Sequence, residues 1–339
     1  MASSGPVSQS TSATGPAADR RERSISDFLS VPVTALHTLK SPACDLYLVE
    51  RGSSRPVLYC VGDYSFSATD ISRLQRAGVH YLYLHSSDRH RYQEQLLENL
   101  DPLLEQEQIS VEERLSLLKS AYTARLNRAF RMAKADAMVQ ESKRVGSYVA
   151  TLMQSDDVVP AQLMALLKYS RNAFSHLINV SSYSVVLATR LGITDQTELD
   201  AIATGGMLHD LGKRWIPERI LNKVGPLSPT EKHLLRQHPK RGYVELFSRD
   251  DVRREHALMA YQHHEHMDGS GYPAGITGEE IHPWSRLCAV IDIFEGLTGR
   301  RAYRESLDPL VVAGMLEELA GHHLDKEIVQ CWVSALRER

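Results

Sequence analysis

The sequence predicts a mainly α-helical chain: an all-helical C-terminal half, preceded by a small α/β module and a connecting helix. Two observations predict it, and a third says where the chemistry lies. Short β-like runs are confined to the stretch before Asp101, and everything after Asp156 reads as helix and loop. Eleven of the fifteen histidines stand at or beyond position 176, which points to metal chemistry in the C-terminal half.

At 339 residues the chain exceeds one average domain. Residues 1–25 are rich in Ser, Thr, Ala, Gly and Pro and are expected to form a disordered tail, because they carry too little apolar surface to offset ordering. Residues 26–101 are expected to form a small α/β regulatory or assembly module. The runs from Cys44 and from Pro56 bracket a turn signal at Gly52, a capped helix runs from Ala68 to Gly78, and a third strand begins at Val79. Residues 102–155 are expected to form the connecting helix. Its apolar positions Val111, Leu115, Leu118, Tyr122, Leu126, Ala129 and Ala133 fall three or four apart and make one stripe. Such a stripe either packs on its own domain or pairs two copies in a homodimer. Residues 156–339 are expected to form the domain that carries the chemistry.

The formal net charge of −3 offers no broad attraction to nucleic acid or anionic lipid, so neither DNA nor a membrane is expected as a partner. Cys44, Cys60, Cys288 and Cys331 are scattered at no zinc or redox spacing and read as thiols in a reducing compartment. The first twenty residues lack the basic and apolar regions of a signal peptide, and no apolar run approaches about eighteen residues. A cytoplasmic location is expected.

Two strings carry chemistry. In Met207-Leu-His-Asp-Leu-Gly-Lys213, His209 offers a nitrogen ligand beside Asp210, a carboxylate able to bridge two cations. On a helix Lys213 would share their face and reach a phosphate oxygen. The second string runs from His263 to Pro273. Its tandem histidines precede a Gly-Ser-Gly-Tyr-Pro loop, whose glycines permit close backbone approach and whose Tyr272 offers an aromatic face and a hydroxyl.

His209-Asp210 and Gly271-Tyr272-Pro273, with the spacing between them, resemble the two motifs that name the HD-GYP family of cyclic di-GMP phosphodiesterases, within the wider HD superfamily. The resemblance covers about half the chain, from Asp156 onward, and implies an all-helical HD-type domain. Arg171 to Val180 resembles the family's opening helix and makes His176 a metal ligand. Arg236-Gln-His-Pro239 gives His238, the tandem pair gives His263 and His264, and Val290-Ile-Asp-Ile-Phe294 gives Asp292. The implied ligand set is therefore His176, His209, Asp210, His238, His263, His264 and Asp292. One metal would be held by His176, His209, Asp210 and Asp292, and a second by His238, His263 and His264, with Asp210 bridging.

The resemblance also implies two divalent ions, iron or manganese, and hydrolysis of a cyclic dinucleotide by a metal-bridging hydroxide in bacterial second-messenger signalling. Asp210 and Lys213 would serve catalysis, and Lys213, Tyr272, Arg301 and Arg304 would hold the substrate. Asn172 stands where trinuclear members carry a glutamate, which implies two metals rather than three. The alternative is a non-enzymatic cyclic-dinucleotide sensor that signals through the N-terminal module.

Local physics adds one placement. Ser228-Pro-Thr-Glu231 is a capping box, and Pro239 disfavours helix at His238, so His238 is expected at the C-terminal end of that short helix. His233 and His256 read as solvated. His266 and His282 fall where the family shows no ligand, and His322-His323 is read as packing or orienting.

Overall fold

The computed structural model describes residues 27–39, 41–49, 55–132, 134–154, 173–299 and 306–338. The predicted tail, Asn172, Arg301 and Arg304 lie outside the described residues. The chain divides into two compact units, residues 1–89 and 90–339.

The first unit is a four-stranded antiparallel sheet with one capped helix. Strands β1 (Phe28–Pro32), β2 (Leu46–Val49), β3 (Pro56–Cys60) and β4 (Tyr81–His85) lie in the order β1-β4-β2-β3. The strand the sequence did not announce is β1, a five-residue run ending in proline. It sits at the sheet edge, where a missing N–H costs no ladder bond. Helix α1 (Ala68–Arg76) starts at a capping box in which Ser67 accepts from the Asp70 backbone. It stops before Gly78, whose φ of 72° the glycine alone accommodates freely.

The second unit is helical and opens with α2 (Arg89–Glu98). Where one connecting helix was expected there are two, α3 (Val111–Arg131) and α4 (Asp136–Met153). The chain leaves helical geometry at Met132, whose ψ is 149°. No proline or glycine marks the break, so the apolar period ran straight through it. The helices pack on each other, and Arg125 Nε donates to Glu141 across them at 3.1 Å. The stripe Val111, Leu115, Leu118, Tyr122, Leu126 and Ala129 is buried within this unit, against the chain's own helices rather than left as an open dimer seam.

Behind them lie α5 (Ala173–Arg190) and α6 (Gln196–Leu208), then α7 (Pro229–Leu235), α8 (His238–Phe247), α9 (Arg254–Gln262), α10 (Pro283–Thr298), α11 (Pro309–Leu319) and α12 (Lys326–Arg337). The rings of Tyr183, Phe294 and Trp332 lock α5, α10 and α12 together, with centroids 5.2–5.6 Å apart. Among the described residues no helix is long and apolar enough to cross a membrane.

Candidate metal centre

Three helix ends, one turn and two helix bodies converge on one buried point. Helix α6 stops at Leu208, so His209 caps its C-terminus and Asp210 opens the turn Leu211–Trp215. The motif therefore sits at a helix end rather than inside a helix. His238 also differs from expectation. It is the first residue of α8 instead of the last of α7, because Arg236 and Gln237 make the turn and Pro239 occupies an early position where no N–H is needed. His263 caps α9 and His264 follows it, whereas His176 and Asp292 project from within α5 and α10.

Gly212 makes the meeting of these ends possible. A Cβ there would stand 1.9 Å from the His238 carbonyl oxygen, so only glycine lets the turn after Asp210 press against the start of α8.

The seven predicted ligands form one cluster with two sides. Asp210 Oδ2 lies 3.4 Å from His209 Nε2 and 3.6 Å from His176 Nε2, and Asp292 Oδ1 closes this side 3.2 Å from His176 Nε2. Asp210 Oδ1 faces the other way, 3.3 Å from His238 Nε2 and 3.8 Å from His263 Nε2. His238, His263 and His264 bring one potential ligand atom each within 4.8 Å of one another, and so do His176, His209 and Asp292.

The imidazoles are held from behind. Their Nδ1 atoms contact the Gly206 carbonyl (His209, 2.8 Å), the Leu235 carbonyl (His238, 2.8 Å) and the Met259 and Ala260 carbonyls (His263, both 3.1 Å). His176 Nδ1 pairs with the Glu295 carboxylate. Each Nδ1 thus carries a proton, which leaves each Nε2 turned inward as the atom open to a metal, the arrangement metal-binding histidines adopt. His209 Nε2 and Asp210 Oδ1 are buried with no hydrogen-bond partner among the described residues. Two orphaned polar atoms in a buried site are costly unless a bound group answers them, and a histidine nitrogen beside a carboxylate oxygen is a donor set that fits divalent metal.

Electrostatics divide along the same line. Burial pushes the Asp210 carboxyl up, but Lys213 and His209 beside it override this and hold it well below the carboxylate range. Burial acts likewise on Asp292, where His176 and His209 beside it prevail. On the other side burial pushes His264 down to about 3 and His263 well below its ordinary value, so both are neutral and able to ligate.

Lys213 Nζ lies 2.5 Å from Asp210 Oδ2 and is partly exposed. Tyr272 stacks on His264, with centroids 4.8 Å apart, and Arg236 lies 5.0 Å from its ring centroid. Gly271 lets this loop fold back, since a Cβ there would meet the His266 nitrogen at 2.4 Å. The buried Glu265 staples the loop by accepting from the backbones of Ala274 (2.6 Å) and Gly275 (3.0 Å).

Sequence reasoning passed over Glu265, Glu295, Asn179 and Arg236. Glu265 adjoins the tandem histidines, and Glu295 lies one turn after Asp292, so position was the available signal for both. His256, read as solvated, is buried, with Nε2 2.9 Å from the Ala201 carbonyl. His266, Asp268 and His323 form a separate, partly exposed group with potential ligand atoms within 4.8 Å of one another.

The HD domain family model matches residues 133–328. The chain belongs to the HD domain family. It is 30% identical over 209 residues to a cyclic di-GMP phosphodiesterase of Pseudomonas aeruginosa, covering 61% of this chain and 49% of that protein. It is 39% identical over 132 residues to a cyclic di-GMP phosphodiesterase response regulator of Xanthomonas campestris (38% and 34%). It is 34% identical over 166 residues to a 3'3'-cGAMP-specific phosphodiesterase of Vibrio cholerae (48% and 31%). The chain thus spans half or less of the length of these relatives. An HDG"Y"P protein from Bdellovibrio bacteriovorus shares the fold, with a TM-score of 0.62 over 92% of this chain and 100% of that one, at 19% identity.

Proposed function

We propose that this HD domain hydrolyses a phosphodiester bond of a cyclic dinucleotide at a centre of two divalent metal ions bridged by Asp210. The observation that carries the reading is the opposed aim of the two Asp210 oxygens, each toward its own histidine set. The relatives named as cyclic di-GMP and 3'3'-cGAMP phosphodiesterases support the substrate class.

His176, His209 and Asp292 would hold one ion, and His238, His263 and His264 the other. Two such ions supply Lewis acidity to the phosphodiester and acidify a water to a nucleophile at neutral pH. Iron or manganese suits the mixed nitrogen and carboxylate donors. The protein's own part is positional. Asp210 and Asp292 stay ionised, and the backbone carbonyls fix the imidazole rings. Lys213, tethered to Asp210, is placed to turn its ammonium toward a phosphate oxygen. Tyr272, stacked on His264 with Arg236 over its ring, would contact the substrate, and burial with the Asp210 and Asp292 charges keeps its hydroxyl protonated. Arg301 and Arg304 would hold the dinucleotide phosphates. A sensor without turnover is the alternative, but a sensor has no need of a full ligand set and all seven positions carry competent donors.

The test is to incubate manganese- or iron-loaded protein with cyclic di-GMP and with 3'3'-cGAMP and separate the products chromatographically. Metal-dependent appearance of a linear dinucleotide or of mononucleotides supports the reading. Binding of both ligands without any product selects the sensor.

A further inference from the structure

The polar chain behind His176 does not end at Glu295. Asn179, on the same face of α5 one turn beyond His176, donates its amide to Glu295 Oε1 at 2.9 Å. Its carbonyl oxygen accepts from Lys119 Nζ at 2.8 Å. Lys119 projects from α3, and Lys119, Asn179, Glu295 and His176 are all buried. Lys119 also lies outside the stretch 133–328 that matches the HD family model.

A buried ammonium is costly without an answering charge. Burial pushes Lys119 down to about 8 while the Glu295 charge opposes the fall, so the group is still largely cationic at neutral pH. An asparagine suits the middle position because one amide accepts on one side and donates on the other. The result is a line of fixed polarity, from ammonium through amide and carboxylate to imidazole. It ends at a nitrogen 3.2 Å from Asp292 and 3.6 Å from Asp210.

We propose that Lys119 is a positioning residue of the metal centre, holding Asn179 and through it Glu295, so that His176 keeps Nε2 aimed at the ion it shares with His209 and Asp292. The proposal rests on the reading of the seven-ligand cluster as a metal centre. It places the working boundary of the catalytic unit before α3, ahead of the family-matched region. It also gives α3 a role beyond packing, since a shift of this helix would be felt at His176 and not at His238, whose rear contact is the Leu235 carbonyl.

The experiment uses the full chain with manganese alone as probe. Lys119→Met keeps an unbranched side chain one atom shorter and removes the charge and the donor, and Asn179→Leu breaks the line one link later, in case the first variant does not fold. Loss of an orienting partner weakens metal binding about tenfold to 100-fold. Each variant should show that loss at one of the two positions. Its electron paramagnetic resonance signal should lose the spin coupling between paired manganese ions at concentrations that saturate the wild type, while metal-free unfolding stays cooperative. A folded variant that takes up both ions with wild-type affinity and coupling overturns the proposal and leaves the metal centre intact. A wild-type chain that binds no manganese overturns the metal-centre reading, and the proposal with it.

Discussion

Asp210 Oδ1 lies 3.3 Å from His238 Nε2, on the side of the carboxylate opposite the oxygen that faces His209. One side chain therefore serves two histidine groups that come from different helices. Asp210→Ala should lower metal content at both positions and reduce turnover by more than about 100-fold, the upper range for losing only an orienting partner. Far-ultraviolet circular dichroism should show the helices retained. Wild-type metal content in the variant would break the bridging assignment.

Glu265 offers a prediction that separates loop from metal. Its buried carboxylate accepts from the Ala274 and Gly275 backbones and touches no proposed ligand atom by hydrogen bond. Hydrogen bonds to a charged group contribute about 1.5–3 kcal/mol each. Glu265→Gln should speed amide hydrogen exchange across residues 270–275 and raise KM, with the metal content unchanged. Loss of metal together with the loop order would show that Glu265 supports the ions instead.

Much of this site was legible in the sequence because metal ligation restricts residue type. His209-Asp210 and the tandem His263-His264 stand out as donors, whatever fold presents them. Their partners were not legible. Glu295 and Asn179 act through contacts across more than a hundred residues of chain, and no local period encodes such a meeting. The same limit explains the helices: the apolar stripe of α3 announced a helix, but the break at Met132 and the fold-back of α4 are decided by tertiary packing. His238 was misplaced by one helix because Pro239 signals a boundary without saying on which side the histidine falls.

His256 predicts a pH dependence of stability. Burial pushes it down to about 4, which its hydrogen bond to the Ala201 carbonyl only partly opposes. An unfolded histidine titrates near 6.5, so between about pH 6.5 and 4 the unfolded chain binds the proton and the folded chain does not. This contribution is fully present above pH 6.5 and falls as the pH drops, by up to about 3 kcal/mol for a shift of this size. Urea unfolding of wild type and His256→Leu at pH 7.5 and pH 4.5 measures it. The variant should lose less stability on acidification, and equal losses would contradict the assignment.

Arg301 and Arg304 are proposed to hold substrate phosphates. Alanine at either position should raise KM for a cyclic dinucleotide, more strongly at low ionic strength where charge pairing is least screened. Metal content should not change. A lowered metal content with an unaltered KM in the loaded fraction would assign both residues to the centre instead.

A centre of two ions bridged by Asp210 is defined by the number and place of the metal ions. Anomalous scattering from crystals grown with manganese measures both, and bulk metal analysis does not, because the partly exposed His266, Asp268 and His323 group could take up an additional surface ion. Two strong peaks are expected to flank Asp210, one among His176, His209 and Asp292 and the other among His238, His263 and His264. No peak is expected beside Asn172, whose neutral amide lacks the charge to offset dehydration of a hard cation. A single peak, or a well-occupied third one at Asn172, would contradict a centre of two ions bridged by Asp210.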